Sequence, residues 1–286
     1  MEKLKIAIQK SGRLSDQSLE LFSEAGINLS NGNRRLISVS SNFPVELLFV
    51  RDDDIPQYVA DNVADIGIVG ENVILEKVFP VSIVHKLGFA KCRLSLAIPK
   101  SDDYISLDYF NSKKIATSYP GILKKFLNKN NINAEIHIIS GSVEIAPGIG
   151  LADAIFDIVS SGSTLISNGL KEVEVVTESE AVLISSSSLN KKKSEILEKL
   201  IFRFKSVHAA HNNKYILLNA PNNRLEEIIK IIPGMKSPTI MPLATPGWSS
   251  VHSVLKESEF WDIIDKLKDL GAQGILVIPI EKMIIN

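Results

Sequence analysis

The 286-residue chain has one cysteine, Cys92. A disulfide within the chain is therefore excluded, and a cysteine-based zinc site lacks its ligands. An excess of one charge is missing too. There are 32 Lys and Arg against 33 Asp and Glu, a net charge of −1, so no overall basic field draws in nucleic acid. Phosphate-bearing ligands have to be held by local groups. No apolar run approaches the ~18 residues that a membrane-spanning helix needs. The opening stretch, MEKLKIAIQKSG, lacks the apolar core and small-residue cleavage site of a secretory signal, so the expected location is the cytoplasm. The five histidines (His85, His137, His208, His211 and His252) show no metal-ligand spacing such as HExxH. Low-complexity sequence is confined to Ser185–Ser188, read as a surface turn.

Apolar residues make up 45% and charged residues 23%, an ordinary globular mix, and the length suits two or three domains. Strand-like runs at Lys5–Ile8, Val45–Val50 and Ile66–Val69 alternate with helical spacing over Ser15–Ala25, stopped by Gly26, and over Ile55–Asn62. Such alternation predicts an α/β fold with a largely parallel sheet. One echo stands out. ADIGIVGENVIL (64–75) and ADAIFDIVSSGSTL (152–165) both run from Ala-Asp through an apolar strand and a small-residue loop into a helix start. This predicts two similar α/β lobes. A second lobe begins near Arg93, with strands at Arg93–Pro99, Ile115–Ala116 and Ile136–Ile139, and Val173–Val176 and Ala181–Ile184 lead back. Two lobes joined by two crossings leave a cleft suited to a ligand.

Ser194–Ala210 has clear helical periodicity, followed by Asn212 and Asn213 as a linker. Beyond it, strands at Tyr215–Asn219, Thr239–Leu243, Val251–Leu255 and Ile275–Ile280 and helices at Arg224–Ile232 and Glu259–Leu270 give the order βαββαβ. That is the ferredoxin-like arrangement. The predicted boundaries are lobe I at 1–92 and 180–211, lobe II at 93–179, and a C-terminal domain at 212–286.

The sharpest local feature is DIVSSGSTL (157–165). A strand running into Ser160, Ser161, Gly162, Ser163 and Thr164 before a helix offers backbone N–H groups, a positive helix end and hydroxyl donors to a phosphate monoester. Gly162 admits close approach. The same pattern also describes a capped strand–helix junction, and Leu151, Ile155, Ile158 and Val159 also fit a helix. Asp157 is placed to accept from ribose hydroxyls, as is Glu144, which otherwise faces solvent. Lys10 and Arg13 follow the first strand and either grip an anion or stand as solvated cations. In RDDD (51–54), the carboxylates either meet Mg²⁺ or begin a helix. Cys92 reads as a small buried residue rather than a nucleophile.

GSVEIAPGIGLADAIFDIVSSGSTLISNGL (141–170) resembles the signature of the ATP phosphoribosyltransferase family. LKIAIQKSGRL, RDDDIPQYV, ADIGIVGENV and CRLSLAIP are similar to the family as well, and KYILLNAP, GMKSPTIMPL and LGAQGILVIPIEKM resemble the regulatory domain of its long form. The loop carries Ser161 where many relatives have Thr, which keeps the hydroxyl. The resemblance implies a two-lobed core like a type II periplasmic binding protein, followed by an ACT-like domain. It implies transfer of the phosphoribosyl group of 5-phosphoribosyl 1-diphosphate (PRPP) to N1 of ATP, in the first step of histidine biosynthesis. Mg²⁺, inhibition by L-histidine and a dimer–hexamer equilibrium are implied with it. So are roles for Ser160–Thr164 on the 5-phosphate, Asp157 and Glu144 on the ribose, and Lys10, Arg13 and Arg51 on the diphosphate or triphosphate. Thr239 and Gly274 are the implied histidine contacts. A non-catalytic solute binder, a silent regulatory subunit and a type I phosphoribosyltransferase are the competing readings. The missing signal, the intact loop hydroxyls and the single acid before the loop weigh against each in turn.

Overall fold

The computed structural model describes residues 2–30 and 36–285. By contact density the chain divides into two compact units: Met1–Glu20 with Ile27–Leu197, and Leu21–Gly26 with Glu198–Asn286.

The chain opens with β1 (Leu4–Gln9), α1 (Arg13–Glu24, whose residues from Leu21 on belong to the second unit), β2 (Ile37–Val39), β3 (Val45–Val50), α2 (Ile55–Ala60), β4 (Ile66–Gly70), α3 (Glu71–Glu76) and β5 (Val81–Lys86). It continues through β6 (Cys92–Pro99), β7 (Lys114–Thr117), α4 (Pro120–Lys129), β8 (Glu135–Ile138), β9 (Ala154–Val159), α5 (Ser163–Ser167), β10 (Leu170–Ser179) and β11 (Ala181–Ser186). One sheet has the order β2-β3-β1-β4-β11-β5, the other β10-β6-β9-β7-β8. In the first, β3, β1 and β4 are parallel and β11 runs against β4; in the second, β8, β7 and β9 are parallel and β6 runs against β9. Apart from the extra edge strand β2, which runs antiparallel to β3, each lobe therefore has the same order, second–first–third–crossing–fourth, with one antiparallel strand inserted where the chain passes between lobes. This is the type II periplasmic-binding-protein arrangement.

The Ala-Asp echo has a physical cause. Asp65, just before β4, accepts from the Lys5 N–H at 2.8 Å and returns its own N–H to the Lys5 carbonyl at 2.9 Å. Asp153, just before β9, makes the same pair with Lys114, both at 2.8 Å. In each lobe the aspartate fixes the third strand's register on the first. The strands themselves are apolar because helices cover both faces: Leu4, Ile6 and Ile8 of β1, and Ala154, Ile155 and Phe156 of β9, are fully buried. The helical spacing through Leu151 and Ile155 yields to strand because β9 pairs on both sides, with β6 and β7.

α6 (Lys191–His211) runs from the first unit into the second. The second unit then has β12 (Asn213–Pro221), α7 (Leu225–Ile231), β13 (Thr239–Pro242), β14 (Trp248–Lys256), α8 (Phe260–Asp269) and β15 (Gln273–Pro279). Its antiparallel sheet, β13-β14-β12-β15, is ferredoxin-like. Ile216, Leu218 and Ala220 alternate along β12 onto the face covered by Ile228 of α7 and Leu267 of α8.

Two local expectations are corrected. Asn212 and Asn213 are not a linker: the helix ends at His211 and β12 starts at Asn213. Both side chains fold back on the helix end, Asn213 Nδ2 donating to the Ala209 carbonyl at 2.8 Å and Asn212 Nδ2 lying 3.0 Å from His208 Nε2. Ser185 and Ser186 belong to β11, with Ser185 buried, so the surface turn is confined to Ser187 and Ser188.

Candidate active site

Parallel strands deliver the turns that follow them to one end of each sheet, where open α/β sheets bind ligands. Lys10 and Arg13 follow β1, Arg51–Asp54 follow β3, Tyr119 follows β7, and Ser160–Thr164 follow β9. The Lys10 N–H donates to the Val50 carbonyl at 2.8 Å, which sets exposed Lys10 and Arg51 at neighbouring strand ends. Asp52–Asp54 form a single 3-10 turn leading into α2, so they do begin a helix.

Gly162 is the pivot of the loop after β9. It adopts φ +81°, a left-handed conformation that a side chain would strain, and so turns the strand into α5. The Ser161 and Ser163 hydroxyls lie 3.0 Å apart inside the loop. Ser160, Ser161, Gly162 and Thr164 line a cleft of about 300 Å³ together with Glu144 and Asp157. From the other lobe, Arg13 Nη1 reaches the Ser160 hydroxyl at 3.3 Å. Six of the residues singled out by sequence thus share one cleft, and a seventh touches it.

Burial pushes the Asp157 carboxyl up to about 6; the Ile158 backbone N–H opposes this and the Glu144 charge adds to it. Tyr119, which sequence reasoning missed, stands nearby. Burial holds its phenol far above the ordinary range, with the Asp157, Asp53 and Asp52 charges acting the same way and its Asn72 bond opposing them. Its orientation is fixed by a directed chain. The Ser179 hydroxyl donates to Asn72 Oδ1 at 3.0 Å, so Asn72 Nδ2 donates to the Tyr119 oxygen at 3.2 Å. The phenolic proton is left for another acceptor.

The lobes also meet beside this chain. The Glu76 carboxylate at the end of α3 accepts from the Gly121 and Ile122 N–H groups at 2.7 and 2.9 Å, satisfying the N-terminus of α4. Gly121 is required there, because a Cβ would lie 2.7 Å from the Glu76 carbonyl oxygen. The half-buried Cys92 thiol is pushed up by burial, with Ser179 and Arg13 opposing, which fits a packing residue. Among the described residues, no three His, Cys, Asp or Glu side chains converge as a metal site.

The ATP phosphoribosyltransferase family profile matches residues 51–206, and the profile described as "HisG, C-terminal domain" matches 210–282. A protein named ATP phosphoribosyltransferase from Bacteroides thetaiotaomicron is 62% identical over 282 residues, spanning 99% of this chain and 100% of that protein. The chain belongs to the ATP phosphoribosyltransferase family. Its likeness to the Cytophaga hutchinsonii ATP phosphoribosyltransferase is 59% over 281 residues, 98% of each chain. Among solved structures, the ATP phosphoribosyl transferase (HisG:HisZ) complex from Thermotoga maritima aligns with TM-score 0.60 and 28% identity over 71% of this chain and 98% of that one. As a family member the protein is a pentosyltransferase of the first step of histidine biosynthesis, in the long form that carries the C-terminal domain.

In that domain, Thr239 is exposed on β13 and Gly274 lies on β15, at opposite edges of the sheet. Gly274 has φ +58° beside the register shift between β12 and β15, which gives it a backbone role of its own. No helix among the described residues is long and apolar enough to cross a membrane.

Proposed function

We propose that the cleft beside the Ser160–Thr164 loop binds PRPP by its 5-phosphate and presents C1 of the ribose to N1 of ATP. The adenine N1 lone pair forms the new bond to C1 as the bond from C1 to the diphosphate oxygen breaks. Pyrophosphate leaves with that electron pair, and no covalent enzyme intermediate forms. Catalysis comes from positioning and from stabilising the charge that develops on the leaving group. The supporting observation is the Ser160–Thr164 loop, turned by Gly162 and sharing one cleft with Asp157 and Glu144 while Arg13 reaches in from the other lobe.

In this reading the loop amides and hydroxyls hold the 5-phosphate, and Asp157 and Glu144 orient the ribose hydroxyls. Lys10, Arg13 and Arg51 face the diphosphate or the triphosphate. Mg²⁺ fits the donor set as a substrate-borne ion, since it favours one or two carboxylates together with substrate phosphates and water. Asp157 and Glu144 repel each other in the cleft, and a nearby cation relieves that repulsion. When bound, Mg²⁺ neutralises charge on the leaving diphosphate.

The catalytic lobes are proposed as 1–92 with 180–211 and 93–179, and the regulatory domain as 212–286. L-Histidine is its proposed inhibitor, with a coupling of about 1–3 kcal/mol to the catalytic site. Because Thr239 and Gly274 occupy opposite edges, one histidine touching both needs two protomers, in keeping with a dimer–hexamer assembly. ATP and PRPP are cytoplasmic metabolites, so the cytoplasm is the proposed compartment.

The test is to mix the protein with ATP, PRPP and Mg²⁺ and follow the ultraviolet absorbance of N1-modified adenine, with and without histidine. Gly162→Val is expected to raise the PRPP KM sharply or abolish turnover. Unchanged kinetics remove the loop from the mechanism.

A further inference from the structure

Arg93 was not among the residues that the sequence singled out, and it does not line the cleft. It lies on β6 directly opposite Val159, the last residue of β9, so its side chain stands beside the start of the phosphate loop. Its guanidinium is occupied on both sides. Nε and Nη2 donate to the two carboxylate oxygens of Glu172, each at 2.5 Å, and Nη1 donates to the Ser160 carbonyl at 3.1 Å. Glu172 is held in turn by the hydroxyl of fully buried Ser95, at 2.6 Å. Strand β10 carries a register shift at Glu172 and Glu174 against β6, and such a bulge re-aims a side chain.

The Ser160 carbonyl has left the β9 ladder, and Arg93 supplies its partner. In a planar trans peptide the carbonyl and the following N–H point in opposite directions. Fixing the Ser160 carbonyl toward Arg93 therefore fixes the Ser161 N–H away from it, on the loop's other side. Ser161 lines the cleft. The positive charge of Arg93 is matched by the carboxylate it grips, so its contribution is direction rather than field.

We propose that Arg93, oriented by Glu172 and Ser95, is a positioning residue that aims the Ser161 amide at the substrate phosphate. This rests on the reading of Ser160–Thr164 as the phosphate loop. Arg93 fills two acceptors with one rigid fork, which a lysine ammonium cannot reproduce. Glu172 is the discriminating partner. If Arg93 bound the phosphate directly, removing the carboxylate charge would free the cation and tighten PRPP binding. If Arg93 acts through the peptide, the same change loosens the fork and weakens it.

The experiment compares Arg93→Lys, Glu172→Gln and Gly162→Val in the full-length enzyme. It measures kcat and the KM for PRPP and for ATP, with thermal midpoints as a control on folding. Arg93→Lys and Glu172→Gln are each expected to raise the PRPP KM about 10-fold, the size of one lost charge-assisted hydrogen bond, with the ATP KM within about two-fold of the parent. A lower PRPP KM in Glu172→Gln overturns the inference in favour of direct contact. A normal PRPP KM in both, with Gly162→Val impaired, overturns it while leaving the phosphate loop in place. A normal PRPP KM in Gly162→Val removes the loop reading itself. Should Arg93→Lys and Glu172→Gln fail to fold, Ser95→Ala loosens Glu172 from one side only. Its PRPP KM is expected to rise about three-fold, and an unchanged value overturns the inference.

Discussion

Replacing Asp157 with asparagine separates what the carboxylate does to the fold from what it does for the ligand. In the ligand-free protein the group is raised from an ordinary 3.8 to about 6, chiefly by burial. A carboxyl raised in the folded state disfavours folding once it must ionise. Below pH 3.8 both states are protonated and the penalty is absent; it grows between 3.8 and 6 and is complete above 6. At about 1.4 kcal/mol per pH unit, the shift amounts to about 1.6 kcal/mol at pH 5 and about 3 kcal/mol at pH 8. Asparagine has no charge to bury. Asp157→Asn is therefore expected to stabilise the free protein, by about twice as much at pH 8 as at pH 5. Urea unfolding of both proteins at the two pH values reads this directly. The same variant is expected to lose about 10- to 100-fold in kcat/KM for PRPP, because a charged acceptor for the ribose is gone. In the parent enzyme kcat/KM for PRPP should fall as pH drops through about 6, and the variant should lack that limb. A stabilisation independent of pH, or a variant less stable than its parent at pH 8, refutes the reasoning.

Three further substitutions test how the lobes are built. Glu76→Gln leaves the α4 N-terminus without its anion and is expected to lower stability by about 1 kcal/mol in urea unfolding; no change means the contact contributes nothing. Asp65 and Asp153 make the same backbone pair, but Asp65 is 9% exposed and bridges Lys193 at 2.7 Å. Asp65→Ala should therefore cost about 3 kcal/mol and Asp153→Ala about 1 kcal/mol by the same measurement, and equal losses would show that burial does not set the difference.

Much of this was legible in the chain because periodicity and burial agree. Val45–Val50 and the βαββαβ order of the C-terminal domain follow from apolar spacing that the structure buries. The Ala-Asp echo marked the third strand of each lobe, since the same backbone clamp operates in both. What was missed lacks such a pattern. β5 has a mostly exposed surface at a sheet edge, and α4 opens on Tyr-Pro-Gly, which reads as a turn until Glu76 satisfies its N-terminus. The loop residues could be named from composition because hydroxyls and a glycine cluster in sequence. Tyr119, Asn72 and Arg93 could not, because their meaning lies in partners 47 to 107 residues away.

The most direct measurement is a crystal structure of the protein with PRPP and Mg²⁺. The account predicts the 5-phosphate seated against the backbone amides and hydroxyls of Ser160–Thr164, with the ribose hydroxyls toward Asp157 and Glu144. A sugar phosphate bound elsewhere with that loop empty contradicts it.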